Sequence, residues 1–327
     1  MDWKRFYAAE LADRRGRDAV DAALARHRGG DPRLAAALRA GAIVSFPHVT
    51  VRDSADLIAT VVETLVDSQA KRIVALGVLH GSVLPAPFDA WHASLRDNTK
   101  KGAEAFGRLR GAFVDTSALV TAFGPIEETN RPRVDPLLHD DPAVLRHEFS
   151  LDLFLAFLAA SARAHGVRPP DVIRLYVSAV RDPTGGFDTA ASLAAAIEQL
   201  LDDDTLCVAT GDVAHLGHGY GPDEETARLL ADEDELTAML GASLRDMHDA
   251  ALGRHDFETA WDIGTRLRSD QRQILPVIAA LLGRGASCEP LALRLSDYAG
   301  INDRPRPCFV AAALNLFHPR AWTSVDT

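Results

Sequence analysis

Two strand–helix–strand units constrain this chain more than any other feature of its sequence. Residues 42–46 (AIVSF) form a short apolar run that ends at Pro47-His48. A helical stretch from about Ser54 to Ser68 follows, and then a second apolar run, Arg72 to Leu76, leads through Gly77 to His80. The order recurs downstream as DVIRLYVSAV, the helical ASLAAAIEQLLDD, and the strand TLCVAT followed by a loop that carries Asp212 and His215. Strands joined through a helix pair in parallel, because a parallel return needs a long crossover. Such crossovers are right-handed, which packs the helices back onto the sheet. The expected fold is α/β: a single three-layer α/β/α domain over residues 1–327, with a mostly parallel or mixed central sheet.

The remaining segments fit around that frame. Residues 1–40 read as helix, broken once at Gly29-Gly30-Asp31-Pro32. Residues 85–146 read as an insertion with one short strand near Gly111 to Val114, expected to cover the crevice and set specificity. HEFSLDLFLAFLAASARAHG is helical, two or three helices occupy about Glu224 to Leu282, and LALRLSDYAG and PCFVAAALNLF are strands. The 327 residues would allow two domains, but the order of elements favours one. Hydrophobic residues make up 47% of the chain, enough for a large core. The net charge of -11 and the lack of a Lys/Arg cluster argue against nucleic acid and anionic membranes as partners. Cys207, Cys288 and Cys308 are too scattered for a disulfide framework and form no C-x-x-C pair. No apolar run reaches spanning length and the charged start is no signal peptide, so the cytoplasm is the expected compartment. A homo-oligomer stays open.

Three polar clusters share one position type. His48, His80, and Asp212 with His215 each follow the end of an apolar strand. Strand carboxyl ends line the ligand crevice of open α/β sheets, so residues far apart in the chain meet there. Two imidazoles and a carboxylate leave open positions on a metal for substrate or oxygen. Most of the twelve histidines have a blander role: His27, His165, His248 and His255 sit in charged helical or turn context. Asp212 and His215 admit two readings. Asp212 caps a helix while His215 merely packs, or both enter the crevice with His215 as general acid/base. Gly217, Gly219 and Gly221 let the backbone approach a ligand, but GHGYG is no phosphate-binding fingerprint. Walker, G-x-S-x-G and H-E-x-x-H motifs are absent from the sequence.

In this order the motifs resemble the MEMO family, which includes the AmmeMemoRadiSam system protein B group and is similar in fold to class III extradiol (LigB-type) dioxygenases. FPHV corresponds to the family's P-H-A-G, LGVLHG to L-G-P-S-H-H, HEFSLDLFLAF to E-H-S-L-E-x-x-L-P-F, and ATGDVAHLG to S-S-D-x-x-H-x-G. RLSDYAG and PCFVAAALNLF resemble its closing strands. The resemblance implies metal ligands at His48 and His80, with Asp212 and His215 as catalytic residues, His215 shuttling a proton and Asp212 orienting it. Three departures stand out. The glycine after P-H is lost, and the helix histidine falls on Phe149, leaving His147 as its substitute. The family's third ligand, a cysteine in C-G-R-x-P-I, falls on Asp270, with Arg272 at the arginine; Cys288 is the alternative.

Two histidines and Asp270 favour Fe(II) and oxygen chemistry, whereas a thiolate would favour copper. The resemblance therefore implies an Fe(II)-dependent dioxygenase-like oxidoreductase acting on O2 and a small electron-rich substrate. Copper or zinc is the alternative ion. Metal-assisted hydrolysis on the same site, with zinc or manganese, and a vestigial binding or scaffolding module are the rival readings.

Overall fold

The computed structural model describes residues 2–95, 99–126, 135–221 and 233–320. Eleven strands occur among them: β1 (Ile43–Phe46), β2 (Arg72–Val78), β3 (Ala112–Asp115), β4 (Leu119–Thr121), β5 (Gly124–Ile126), β6 (Leu138–His139), β7 (Asp171–Val177), β8 (Thr205–Thr210), β9 (Ala214–Gly217), β10 (Ser287–Asp297) and β11 (Cys308–His318). All but β4 and β5 join one mixed sheet in the order β10-β11-β1-β8-β2-β7-β3-β6, with β9 also paired to β11. Its centre, β1-β8-β2-β7, is wholly parallel. Those four strands are buried almost end to end, as parallel strands covered on both faces must be.

Alternation assigns the two faces. Val44, Phe46, Ile73, Ala75 and Val208 face one apolar core, while Ile43, Val74, Leu76, Cys207 and Ala209 face the other. The first core is closed by α1 (Trp3–Ala12), α2 (Arg14–Arg26), α3 (Pro32–Arg39), α4 (Val51–Asp67) and α7 (Asp152–His165). Before α7 come α5 (Phe88–Ser94) and α6 (Lys100–Leu109). The second core is closed by α8 (Asp188–Glu198), α9 (Glu233–His248), α10 (Phe257–Leu267) and α11 (Gln271–Leu282). A short α12 (Ala299–Asn302) links β10 to β11. This is the expected three-layer α/β/α arrangement.

Chain direction explains the two layers. From β1 to β2 the chain crosses the sheet one way, and α4 lies on the first face. From β7 to β8 it crosses back, and α8 lies on the opposite face, as right-handed crossovers require. Neighbouring strands β1 and β8 send their following segments apart, α4 onto the first face and residues 214–217 back into the sheet beside β11. The crevice this opens at their carboxyl ends is where the polar clusters meet.

One expectation is corrected. The segment after TLCVAT is not a loop throughout, since Ala214–Gly217 forms β9. Its partner is the projecting half of β11, whose residues 315–317 pair with β1 while residues 308–311 pair with β9. β9 thus continues the line of β1 beyond its end and sets His215 opposite Val310. The segment 85–146 carries the short strand β3, and among its described residues His92 and Leu95 line the crevice. The β4–β5 hairpin packs instead against α7. Residues 96–98 and 127–134 of that segment lie outside the described residues. No helix among the described residues is long and apolar enough to cross a membrane.

Candidate metal centre

His48 stands two residues past β1, and its Nδ1 lies 3.1 Å from Thr210 Oγ1 at the end of β8. The Thr210 hydroxyl donates its only proton to the Phe46 carbonyl at 2.9 Å. It must therefore accept from His48, which places the ring proton on Nδ1 and leaves Nε2 with a free lone pair. Thr210→Val keeps the shape and removes that acceptor. It is expected to weaken metal binding about tenfold, read by chelator competition on a variant whose unfolding curve shows it folded. Unchanged affinity would remove Thr210 from the site.

His80, two residues past β2, is fixed through Glu148. Glu148 Oε1 lies 3.0 Å from His80 Nδ1, and Oε2 accepts the His80 backbone N–H at 2.7 Å. The same carboxylate accepts the N–H groups of Phe149 and Ser150. Ser150 Oγ in turn donates to the Val78 carbonyl and accepts the Val78 N–H, tying this turn to the end of β2. Phe149 stacks on the His80 ring at 4.6 Å and 13°. A buried carboxylate beneath an imidazole fixes the tautomer and makes Nε2 the outward donor.

Asp270 directly precedes α11. Its backbone N–H donates to the Asp212 carbonyl at 3.0 Å. The next residue, Gln271, reaches across to Ser45 of β1 at 3.0 Å. The Asp270 carboxylate is thereby delivered between the histidines: Oδ2 lies 3.5 Å from His48 Nε2, 3.6 Å from His80 Nε2 and 3.9 Å from His215 Nε2. His215 has its own Nδ1 2.9 Å from the Arg268 carbonyl, so in the neutral ring the proton sits on Nδ1 and the Nε2 lone pair faces inward.

Three imidazoles thus commit Nδ1 to fixed acceptors and aim Nε2 at one carboxylate oxygen. That oxygen, Asp270 Oδ2, is buried without a hydrogen-bond partner. A buried charge left in this state is costly unless a cation completes it. Ligand atoms about 2.1 Å from a common tetrahedral ion stand about 3.4 Å apart, close to the spacing of Asp270 Oδ2 from His48 and His80. The donor set therefore fits a divalent ion.

The electrostatics agree. Burial pushes the Asp270 carboxyl up, but His215, His48 and His80 together hold it well below the usual carboxylate range. Burial would lower the His80 pKa, yet Glu148 and Asp270 drive it well above the usual value. Burial likewise raises Glu148, and His80 with the backbone N–H groups brings it below its ordinary value. The pocket favours positive charge at its centre.

The residues named from sequence fall into two donor groups that share Asp270: His48, His80 and Asp270; and Asp212, His215 and Asp270. The expected role of Asp212 changes in one respect. It does not orient His215, whose Nδ1 belongs to Arg268. Its Oδ1 accepts the His48 backbone N–H at 3.0 Å, and its Oδ2 stands 3.9 Å from His215 Nε2. Cys288 is no alternative ligand. It pairs with Phe317 on β11, whereas His215 pairs with Val310. Seven residues of strand at ~3.3 Å each place them about 23 Å apart. His147 is exposed and does not replace the lost helix histidine, whose position Phe149 fills by stacking on His80.

A cleft of about 910 Å³ opens over the cluster. Trp3 and Tyr7 of α1, Tyr298, Trp261 of α10 and Arg181 line it along with the polar residues. Tyr298 Oη accepts the Thr50 N–H at 3.0 Å and shares a hydrogen bond with Tyr7. Sequence reading missed Glu148, Thr210, Tyr7, Tyr298 and Arg181. The available signals were the quoted motifs that contain them: HEFS for Glu148, ATGDVAHLG for Thr210 and RLSDYAG for Tyr298. No family model matches the chain, and no curated protein matches it.

Proposed function

We propose that the protein is a non-haem metal oxidoreductase of the dioxygenase type, MEMO-like in its motif order. It holds one Fe(II) through His48, His80 and Asp270 and acts on a small electron-rich substrate. The observation that carries this reading is Asp270 Oδ2, buried, unpartnered and faced by three Nε2 atoms. Bound Fe(II) supplies redox chemistry toward O2 and the substrate. His215 Nε2 takes the proton of a substrate hydroxyl, and Asp212 steadies the imidazolium from 3.9 Å. The Arg268 carbonyl keeps His215 in the accepting tautomer throughout. Trp3, Tyr7 and Tyr298 limit water around the reacting groups. A second reading, metal-dependent hydrolysis with zinc or manganese, draws on the second donor group of Asp212, His215 and Asp270.

Metal analysis of the anaerobically purified protein tests the first reading. Wild type is expected to carry about one iron per chain, while His48→Ala and Asp270→Ala carry only traces. Equal trace metal in all three would remove its basis. Zinc or manganese held without oxygen consumption would favour the hydrolase.

A further inference from the structure

His248 ends α9 in what the sequence reads as charged helical context, yet it is only 4% exposed. Here the helix passes into a π-helical turn, Asp249–Arg254. Such turns are rare and recur at functional sites. The His248 ring meets Phe317 of β11 edge-on at 5.4 Å, and its Nε2 lies 3.1 Å from Gln271 Oε1. Gln271 Nε2 donates to Ser45 Oγ at 3.0 Å, so the amide oxygen is the atom turned toward His248. A carbonyl oxygen only accepts, which puts the ring proton of His248 on Nε2. Burial pushes the His248 pKa down to about 4 against the opposing pull of Gln271 and Asp249, so the ring is neutral at physiological pH.

Gln271 is the residue after Asp270 and is buried. Its side chain packs over Gly211, where a Cβ would lie 3.1 Å from Gln271 Cγ. Gly211 stands between Thr210, which holds His48, and Asp212. Ser45 belongs to β1, the strand that leads to His48. The amide therefore ties the start of α11 to the strand ends that carry the site. Asp270 makes no side-chain cap bond to α11, so its carboxylate is not held by its own helix. Its backbone is held by neighbours. Asp270 N and Ser269 Oγ both donate to the Asp212 carbonyl, at 3.0 and 3.3 Å, and Gln271 N donates to Ser269 Oγ at 3.2 Å. The Gln271 amide supplies the remaining anchor, toward β1. Held by Ser45 alone, that amide is free to turn; held at both ends, it is not. Neither His248 nor Gln271 lines the cleft, so neither touches a substrate there.

We propose that His248 is a positioning residue for the metal centre: through the Gln271 amide it fixes where the Asp270 carboxylate stands between His48 and His80. The inference deepens the proposed function and rests on its metal site for a readout. It adds a buried contact on the far side of the sheet to the residues that set metal affinity.

The probe is Co(II), a divalent ion whose visible absorption reports the geometry of its ligands. It is titrated into the chelator-stripped full-length protein as wild type, His248→Leu, His248→Met and His248→Gln, with denaturant midpoints of the metal-free samples measured alongside. Leucine and methionine remove the donor and leave Gln271 Oε1 buried without one. Methionine is unbranched and adapts to the space, so it covers the case in which the leucine variant does not fold. A glutamine side chain can place an N–H near the position of the lost Nε2. The donor-free variants are expected to bind Co(II) about tenfold more weakly with a changed spectrum, and His248→Gln to come within about twofold of wild type with the wild-type spectrum. Rescue of affinity and spectrum by His248→Gln separates positioning from a loss of stability alone. Wild-type affinity and spectrum in a folded donor-free variant overturn the proposal and leave the metal reading standing. Equal loss in the glutamine variant overturns it too, because the hydrogen bond is then not the cause. Failure of both donor-free variants to fold also overturns it, since the residue then serves the fold. Wild type that binds no Co(II) removes the metal reading and this inference with it.

Discussion

Glu148→Ala is expected to lower the stability of the fold by about 3–5 kcal/mol and metal affinity by about 10–100-fold. Glu148 is 1% exposed, and its two oxygens accept from His80 N, His80 Nδ1, Phe149 N and Ser150 N. Alanine leaves all four donors inside without an acceptor, and each unsatisfied buried donor costs about 1–3 kcal/mol. Water filling the vacated space would offset part of that sum. The effect on metal has a separate cause. Without the carboxylate, His80 no longer has its proton held on Nδ1, and its ring keeps the Phe149 stack, the edge contact with His48 and the approach of Nε2 to Asp270. Glu148→Gln separates the two effects. One amide oxygen still accepts from part of the turn, but the NH2 group faces a donor, and the negative charge behind His80 is gone. The glutamine variant is therefore expected to recover some stability and little affinity. Denaturant midpoints and chelator competition on the three proteins read both quantities. A Glu148→Ala variant within about 1 kcal/mol of wild type would show that the turn does not depend on this carboxylate.

The frame of the fold was legible because it is written in periodicity. AIVSF, RIVAL, DVIRLYV and TLCVAT are apolar runs of strand length separated by helical stretches, and they became β1, β2, β7 and β8. His48, His80, Asp212 and His215 could be placed in one crevice because strand ends are fixed by such runs. Asp270 came only through resemblance, since a residue ahead of α11 follows no strand in the sequence. The hydrogen bonds from Asp270 N to Asp212 and from Gln271 to Ser45 bring it in. No local pattern encodes those contacts. Glu148 and Thr210 stayed hidden for the same reason. Each acts on an imidazole 68 or 162 residues away in the chain. β9 was hidden because its partner edge exists only once β11 projects past β1. Arg181 sits in a turn whose sequence, RDPTGG, announces a bend but not the rings of Trp261 and Phe187 that hold it.

Asp152→Asn is expected to be more stable than wild type at pH 8 and equal to it near pH 4. Asp152 opens α7, where the helix dipole would favour a charged carboxylate. Burial outweighs that: the carboxyl is pushed up to about 7, with Glu148 and Asp115 adding to the rise against Lys4 and Arg174. In the unfolded chain the same group titrates near 3.9. Below that value both states are protonated and the residue costs nothing. Between the two values the unfolded state gives up its proton first, so it binds fewer protons than the native state and stability falls with rising pH. Above about 7 both states are ionised and the full cost is present. A shift of about three units corresponds to roughly 4 kcal/mol as an upper limit. Asparagine keeps the size and removes the titration, so the difference between the two stability curves isolates this one carboxyl. Urea midpoints from pH 4 to pH 8 measure it. Curves that stay parallel over that range would mean that Asp152 is ionised in the native state throughout. Divergence would show instead that this helix start carries its charge only at a cost, beside a Glu148 that must keep its own charge to hold His80.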